Sequence, residues 1–93
     1  MVVHFIARLN NIDADAMQGY QQPTAASITA FNGRYLTNSN TITTLEGKPD
    51  CQRVVLLEFP DKKQAMDWYK SRLYAPLLAQ RIGATDSHFI LVE

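Results

Sequence analysis

The chain has 93 residues, of which 46% are hydrophobic and 19% are charged, and its nine basic and nine acidic side chains cancel. Folding units usually contain about 100–150 residues, so residues 1–93 are expected to form a single domain. The composition is that of a globular protein rather than a disordered one. Neither sign of charge forms a run, so the basic surface of a nucleic-acid-binding protein is missing and nucleic acid is not an expected partner.

The apolar segments and the cysteine content indicate in which cellular compartment the protein is expected. The longest apolar run, Val54–Leu57, is far shorter than the roughly 20 residues of a membrane-spanning helix. The first residues lack the basic start of a signal peptide. Cys51 is the only cysteine, which excludes an internal disulfide and a thiolate metal site within one chain. We therefore expect a soluble, cytoplasmic protein without membrane contact.

The first third of the chain predicts a strand followed by a helix. Val2–Leu9 is rich in β-branched and aromatic residues and predicts a strand with two partly apolar faces. Asp13 is expected to cap the helix, and Pro23 to kink or split it because proline lacks an N–H. Asn32-Gly33 supplies the left-handed residue that ends it. The helix stripe at three- and four-residue spacing comprises Met17, Tyr20, Thr24, Ile28 and Phe31.

Two more strands are predicted in the middle of the chain. Residues 34–46 are rich in threonine and predict the second strand, with a bend or bulge at Asn38-Ser39-Asn40. Residues 47–50 predict a turn. Val54–Phe59 predicts the third and most hydrophobic strand.

The last third predicts two short helices and a final strand. Asp61 is expected to cap a helix that begins immediately after it. Pro76 is expected to begin the next helix, because proline is tolerated in a first turn, and Gly83 to end it. Ser87–Val92 predicts the last strand.

The resulting order, β-α-β-β-α-β, predicts an α+β fold with a four-stranded antiparallel sheet and the helices on one face. On the third strand, Val55, Leu57 and Phe59 point to one face, while Val54 and Leu56 point to the other. A sheet with its back to water would be polar at alternate positions. The apolar back therefore predicts a homodimer in which two sheets pack face to face as a dimeric α/β barrel.

Short motifs spread over nearly the whole chain carry a family resemblance. They are Asp13, Tyr20, Phe31-Asn32-Gly33-Arg34, Leu45-Glu46-Gly47, Arg53, Glu58-Phe59-Pro60, Ala65, Trp68-Tyr69, Ser71, Tyr74 and Arg81. In this order and spacing, they make the chain resemble the bacterial domain of unknown function 1330. The resemblance implies a ferredoxin-like βαββαβ protomer that forms a dimeric α/β barrel, and it attaches no general activity to the fold.

The chain departs from the family pattern at two places. The family commonly has two glycines where this chain has Asn32-Gly33, and an Arg-Gly-Gly-like turn where it has Thr37-Asn38-Ser39. If that arginine binds an anion in relatives, this chain binds the anion with other residues or not at all.

Charged residues on the second and third predicted strands form a first candidate ligand site. Glu46 and Arg53 are expected to face each other as a cross-strand pair, with Glu58 at the far end of the same strand. Walled by apolar residues, such a pair can hold a small polar ligand or a carboxylate. The alternative is a structural ion pair that fixes strand register or docks a helix.

A second candidate group lies between the two last helices. Tyr69, Ser71 and Tyr74 are placed where side chains can reach over the sheet edge, and Arg81 is a candidate anion anchor. The alternative is that these tyrosines are core residues, each with one satisfied hydroxyl.

The candidate catalytic residues are His4, Glu58 and Tyr69. His4 is the natural proton acceptor, with an unperturbed pKa of about 6.5, although a lone strand histidine is more often a hydrogen-bonded structural residue. Neither His4 nor His88 has a partner at metal-ligand spacing, so no metal site is expected.

Three functional hypotheses follow. In the first, a small cytoplasmic homodimer binds a small organic molecule between sheet and helices without a cofactor. In the second, by analogy with other dimeric α/β barrels, the protein is a cofactor-independent monooxygenase or isomerase acting on an aromatic or carbonyl compound. There His4 or Glu58 would be the base, and Tyr69, Tyr74 and Arg53 would stabilise negative charge. In the third, the dimer is a non-catalytic interaction or stress-response module.

Overall fold

The computed structural model describes residues 1–48 and 51–93. Its sheet is antiparallel throughout, with strand order β2-β3-β1-β4. The predicted α+β architecture is confirmed, with helices packed against one face of the sheet. The elements are β1 Val3–Asn10, α1 Gln21–Ala30, β2 Arg34–Ser39, β3 Arg53–Phe59, α2 Lys62–Tyr69, α3 Ala75–Ala84 and β4 Asp86–Val92.

Alternation along the central strand divides the sheet into two faces. On β1, every second residue from Val3 to Leu9 is buried, whereas the residues between them are half-buried. The buried residues belong to the face that contacts the helices, called here the inner face. The other is called the outer face. Phe5 and Phe59 of the inner face pack on Trp68 of α2, whose indole nitrogen donates a 2.9 Å hydrogen bond to the Ser27 hydroxyl of α1. This buried hydrogen bond ties the two helices together above the sheet.

The first predicted helix is shorter than expected. Asp13 Oδ1 accepts the backbone N–H of Ala16, but it caps only a series of turns over residues 14–19. The regular helix α1 begins at Gln21, so Pro23 falls in its first turn, where a missing N–H is harmless. Pro23 therefore splits the predicted helix, and Asn32, with φ 65°, is the left-handed residue after its end.

The second strand is also shorter than predicted, because β2 ends at Ser39 rather than Glu46. Its register on β3 shifts between Tyr35 and Thr37, one step before the predicted bulge. Residues 40–48 are exposed, including Leu45 at 90%. Strand propensity without burial is weak, which explains why the threonine-rich segment leaves the sheet. Of the predicted turn, Pro49 and Asp50 lie outside the described residues.

The last two helices begin where the sequence predicts. Asp61 Oδ1 accepts the backbone N–H of Gln64 at 2.8 Å and caps α2, and this bond lowers the pKa of the Asp61 carboxyl. Pro76 lies in the first turn of α3. Gly83 does not end α3, because the helix continues to Ala84 before Thr85 turns into extended backbone. In the parts of the chain that the structure covers, no helix is long and apolar enough to cross a membrane.

Two glycines provide a matched test of packing. A methyl group on Gly33 would overlap with the buried Phe59 ring, whereas one on Gly83 would contact nothing within 4 Å. We expect Gly33→Ala to lower the free energy of unfolding by about 1–3 kcal/mol through overpacking. Gly83→Ala should raise it by up to about 1 kcal/mol because alanine favours the helix. Urea unfolding of both variants measures the difference, and equal effects would contradict this account.

Candidate functional site

A cavity of about 490 Å³ lies between the inner face of the sheet and the first and third helices. Its volume falls within the range of small-molecule sites, about 300–1,000 Å³. Its walls combine apolar side chains with a few polar groups that converge from different elements. They are Ala7, Leu9, Ile12, Ala14, Met17, Tyr20, Gln21, Thr24, Tyr35, Asn38, Arg53, Val55, Leu57, Trp68, Tyr74, Arg81 and Phe89.

Arg81 is the most unusual residue of this wall, because its charged side chain is only 3% exposed. Its Nε donates to the Tyr74 hydroxyl at 3.3 Å, and its Nη1 donates to the Ser87 hydroxyl at 2.8 Å. The guanidinium carbon lies 4.6 Å from the centroid of the Phe89 ring. An arginine stays charged under all ordinary conditions, so a positive charge is buried here, and the described residues give it only neutral partners.

Two tyrosines extend this hydrogen-bonded group along the cavity. The hydroxyls of Tyr20 and Tyr74 lie 2.7 Å apart, and one of them must donate to the other. The Tyr74 oxygen also accepts from Arg81. Only one of the two phenolic protons is used in the tyrosine pair, so the other is available to donate to a further acceptor. Burial, and then the neighbouring Tyr74, raise the pKa of Tyr20 above its ordinary value. Tyr20 is therefore a neutral hydrogen-bonding group at physiological pH, not a base.

Arg53 forms a second polar group at the start of β3. Its Nη1 donates a 2.7 Å hydrogen bond to Asn38 Oδ1 of β2, and the Asn38 amide donates to Gln21 Oε1 at 2.9 Å. Tyr35 lies on the same strand as Asn38, and burial raises its pKa to about 12. This second arginine is thus also held by neutral partners.

Thr24 of α1 adds an unsatisfied group to the cavity wall. Its side chain is 2% exposed, and its hydroxyl lies near enough to Tyr20 to offset part of the rise that burial causes in the pKa of that phenol. The hydroxyl nevertheless has no hydrogen-bond partner of good geometry in the described residues. Leaving a buried hydroxyl unpaired costs about 1–3 kcal/mol. A ligand in the cavity can satisfy it.

The structure brings together three of the seven predicted ligand residues. Arg53, Tyr74 and Arg81 line the cavity. Glu46 does not face Arg53, because it is exposed in a bend outside β2, and Asn38 takes its place as the partner of Arg53. The predicted cross-strand pair fails because β2 ends before reaching Glu46.

Tyr69 and Ser71 lie near the cavity but outside its lining. The Tyr69 ring packs on Phe5 and Phe89 with centroids 6.0 and 5.7 Å apart. The Ser71 hydroxyl donates to the Trp68 carbonyl and accepts the backbone N–H of Tyr74. Ser71 thereby joins α2 to α3 and orients Tyr74.

Two of the three candidate catalytic residues lie on the outer face. His4 pairs with Glu58 at 3.3 Å, and Arg34 donates to the same carboxylate at 3.0 Å. Hydrogen bonds from Arg34, and then from His4, lower the pKa of Glu58. Because alternate residues of a strand face opposite ways, neither His4 nor Glu58 reaches the cavity.

Four residues of the cavity wall have no ligand-binding role predicted from their sequence pattern: Tyr20, Thr24, Tyr35 and Asn38. Tyr20 and Thr24 belong to the predicted buried stripe of the first helix. Polar residues on an otherwise apolar stripe can indicate a buried polar site. Asn38 interrupts a strand, a position that disfavours asparagine. Among residues 1–48 and 51–93, no cluster of three or more His, Cys, Asp or Glu side chains can hold a metal ion.

Sequence comparison identifies a family. The family model described as Domain of unknown function (DUF1330) matches residues 3–93. No curated protein matches the chain significantly.

Solved structures resemble the chain over nearly its whole length. A protein of unknown function from Rhodopseudomonas palustris has a TM-score of 0.80 at 16% identity, covering 98% of this chain and 80% of that one. SnoaB of Streptomyces nogalater, a cofactor-independent oxygenase, has a TM-score of 0.67 at 15% identity, with coverage of 99% and 91%. An antibiotic biosynthesis monooxygenase has a TM-score of 0.56 at 12% identity, with coverage of 100% and 97%. At these identities the likeness shows the fold alone.

The tyrosine pair can be tested against a neighbour in the same aromatic cluster. Tyr74→Phe removes the acceptor of Arg81 and the partner of Tyr20, so we expect a loss of about 1–3 kcal/mol in the free energy of unfolding. Tyr69→Phe removes a hydroxyl that bonds to no described group and should change the stability by less than about 0.5 kcal/mol. Chemical denaturation measures both, and an equal loss would refute the Tyr20–Tyr74–Arg81 group.

Proposed function

The chain belongs to the DUF1330 family of domains of unknown function, and from its cavity we propose that it binds a small organic anion with a flat apolar body. One observation carries the proposal: Arg81 is buried at the cavity wall, and its partners among the described residues are all neutral. The ligand would place its anionic group against Arg81 and its apolar body against Trp68, Leu57 and Phe89.

The energetics of the buried charge support an anionic ligand. An unpaired ion in a protein interior costs several kcal/mol. Hydrogen bonds to Tyr74 and Ser87 recover about 1.5–3 kcal/mol each, and the Phe89 ring about 0.5–2 kcal/mol. These contacts let the fold tolerate the charge, and a bound carboxylate would compensate it directly.

The described residues of the cavity wall supply no competing negative charge. None of its described lining residues is aspartate, glutamate or histidine. The raised pKa values of Tyr20 and Tyr35 keep both phenols neutral near pH 7. An incoming anion therefore meets positive potential without repulsion.

An enzyme is the second candidate, and the same group of residues favours it. Arg81, Tyr74 and Tyr20 can stabilise negative charge that develops on a substrate oxygen. The fold likeness to SnoaB, a cofactor-independent oxygenase, is an analogy and does not assign a reaction. His4 and Glu58 are poor candidates for the base because they lie across the sheet from the cavity.

We also propose that the protein is a cytoplasmic homodimer joined through its outer face. Leu56, Ile6 and Ile90 form one row across β3, β1 and β4, and Ile90 is 41% exposed. Ile6 and Leu56 are half-buried in the single chain, and a second sheet packed on this face would cover the whole aliphatic row. The single free cysteine supports a reducing compartment.

A matched ligand pair tests the proposed binding. In a thermal-shift assay, benzoate should stabilise the protein, whereas benzamide, its uncharged isostere, should not. At a hundred times the dissociation constant, the expected stabilisation is about 2.7 kcal/mol. Arg81→Gln should abolish the shift, and Arg72→Gln, at an exposed arginine, should retain it. Larger aryl carboxylates, phenols and quinones extend the screen. The absence of a thermal shift with every anion tested would overturn the proposal.

The homodimer is tested by sedimentation equilibrium. The wild-type protein should have the mass of two chains, and Ile90→Glu on the outer face should have the mass of one chain because two buried carboxylates would face an apolar surface. Leu73→Glu is the control, since Leu73 is 54% exposed in the turn between α2 and α3. A monomeric wild-type protein would contradict the proposal.

A further inference from the structure

The two arginines of the cavity lie towards opposite edges of the sheet. Arg53 pairs with Leu9 in the register of β3 and β1, and Leu9 pairs with Ser87 in the register of β1 and β4. Arg81 bonds to Ser87 on the edge strand β4. The Arg53 side chain extends towards the opposite edge of the sheet and donates to Asn38 on the edge strand β2. The buried side chain of Leu9 therefore lies between two separate cationic groups.

Neither cation is neutralised by the described residues. The partners of Arg81 are the hydroxyls of Tyr74 and Ser87, and the partner of Arg53 is an amide oxygen. The described lining thus carries two positive charges and no carboxylate. A ligand with one anionic group would compensate only half of this charge.

From this arrangement we propose that the ligand is an organic dianion, with one carboxylate bound by Arg81 and the other by Arg53. The inference rests on the proposed function and deepens it by naming the ligand class. The Thr24 hydroxyl, which is buried at the same cavity and has no partner of good geometry among the described residues, is an additional hydrogen-bonding group for the bound molecule. The aromatic and aliphatic wall between the arginines excludes a highly hydroxylated body, whose polar groups would be left unpaired.

The spacing of the strands limits the length of the dianion. Neighbouring strands lie about 4.8 Å apart. Arg81 bonds to β4 and Arg53 reaches from β3 to β2, so two and a half to three such spacings, roughly 12–14 Å, separate the two guanidiniums. A carboxylate carbon in a hydrogen-bonded pair lies about 4 Å from the guanidinium carbon. Roughly 4–6 Å is left between the two carboxylate carbons, which one aromatic ring or a chain of three or four carbon atoms can span.

Isomeric benzene dicarboxylates test the proposal on the unmodified protein. Terephthalate holds its two carboxylates on opposite carbons of one ring, isophthalate holds them two carbons apart, and phthalate holds them on adjacent carbons. The monomethyl esters keep the body but mask one charge. By isothermal titration calorimetry, isophthalate or terephthalate should bind at least about tenfold tighter than its own monoester and than phthalate, as expected for one further charge-assisted contact.

Arginine variants assign the second contact. Arg53→Gln should reduce binding of the favoured dianion to the level of its monoester, while the monoester itself changes by less than about twofold. Arg72→Gln removes an arginine from the exposed surface and should preserve the full difference. The difference should also shrink as salt concentration rises, because screening weakens the second ionic contact.

The outcomes separate this inference from the proposed function. Equal affinity for dianions and monoesters would overturn the dianion while leaving anion binding intact. Equal affinity for phthalate and isophthalate would overturn the bridging geometry. No binding of any carboxylate to the folded protein would overturn both the inference and the proposed function.

Discussion

Arg81 brings a permanent positive charge into the layer between α3 and the sheet, and its neighbours are arranged around that charge. Tyr74 and Ser87 accept its N–H groups, the Phe89 ring lies against its face, and Tyr20 extends the chain through Tyr74. Each contact recovers part of the desolvation cost without cancelling the charge. Replacing a buried charge by a well-packed hydrophobic residue is often neutral or stabilising, so packing alone does not account for an arginine at this position.

The two faces of the sheet separate two kinds of chemistry. Arg53 and Leu57 on β3 face the cavity, whereas Glu58, one position later, pairs with His4 and Arg34 on the outer face. A shift of one residue in strand register would exchange these sets. The buried inner residues of β1 and β3 fix that register and so keep the acid and the histidine away from the two cavity arginines.

The fold was predictable because its signals are local and repeated. Alternating residues on β1 and β3 and the cap at Asp61 each specify an element without reference to distant residues. The site was only partly predictable. The residue pattern predicts Arg53, Tyr74 and Arg81 as ligand residues. It does not predict the contact between Tyr20 and Tyr74, because these residues lie 54 positions apart in the sequence and hydrophobic periodicity carries no information on such a distant contact. Glu46 was misplaced because the length of β2 depends on burial that the threonine-rich segment does not obtain.

The composition of the cavity also limits any reaction that occurs there. The described lining residues include no carboxylate or imidazole that could serve as a general base, and burial raises the pKa of Tyr20 and Tyr35. A substrate would have to enter as an anion or bring its own base. Arg81 and the free phenolic proton would then stabilise negative charge already on the substrate. Binding and catalysis would therefore depend on the same guanidinium, and a catalyst of this design would prefer acidic substrates.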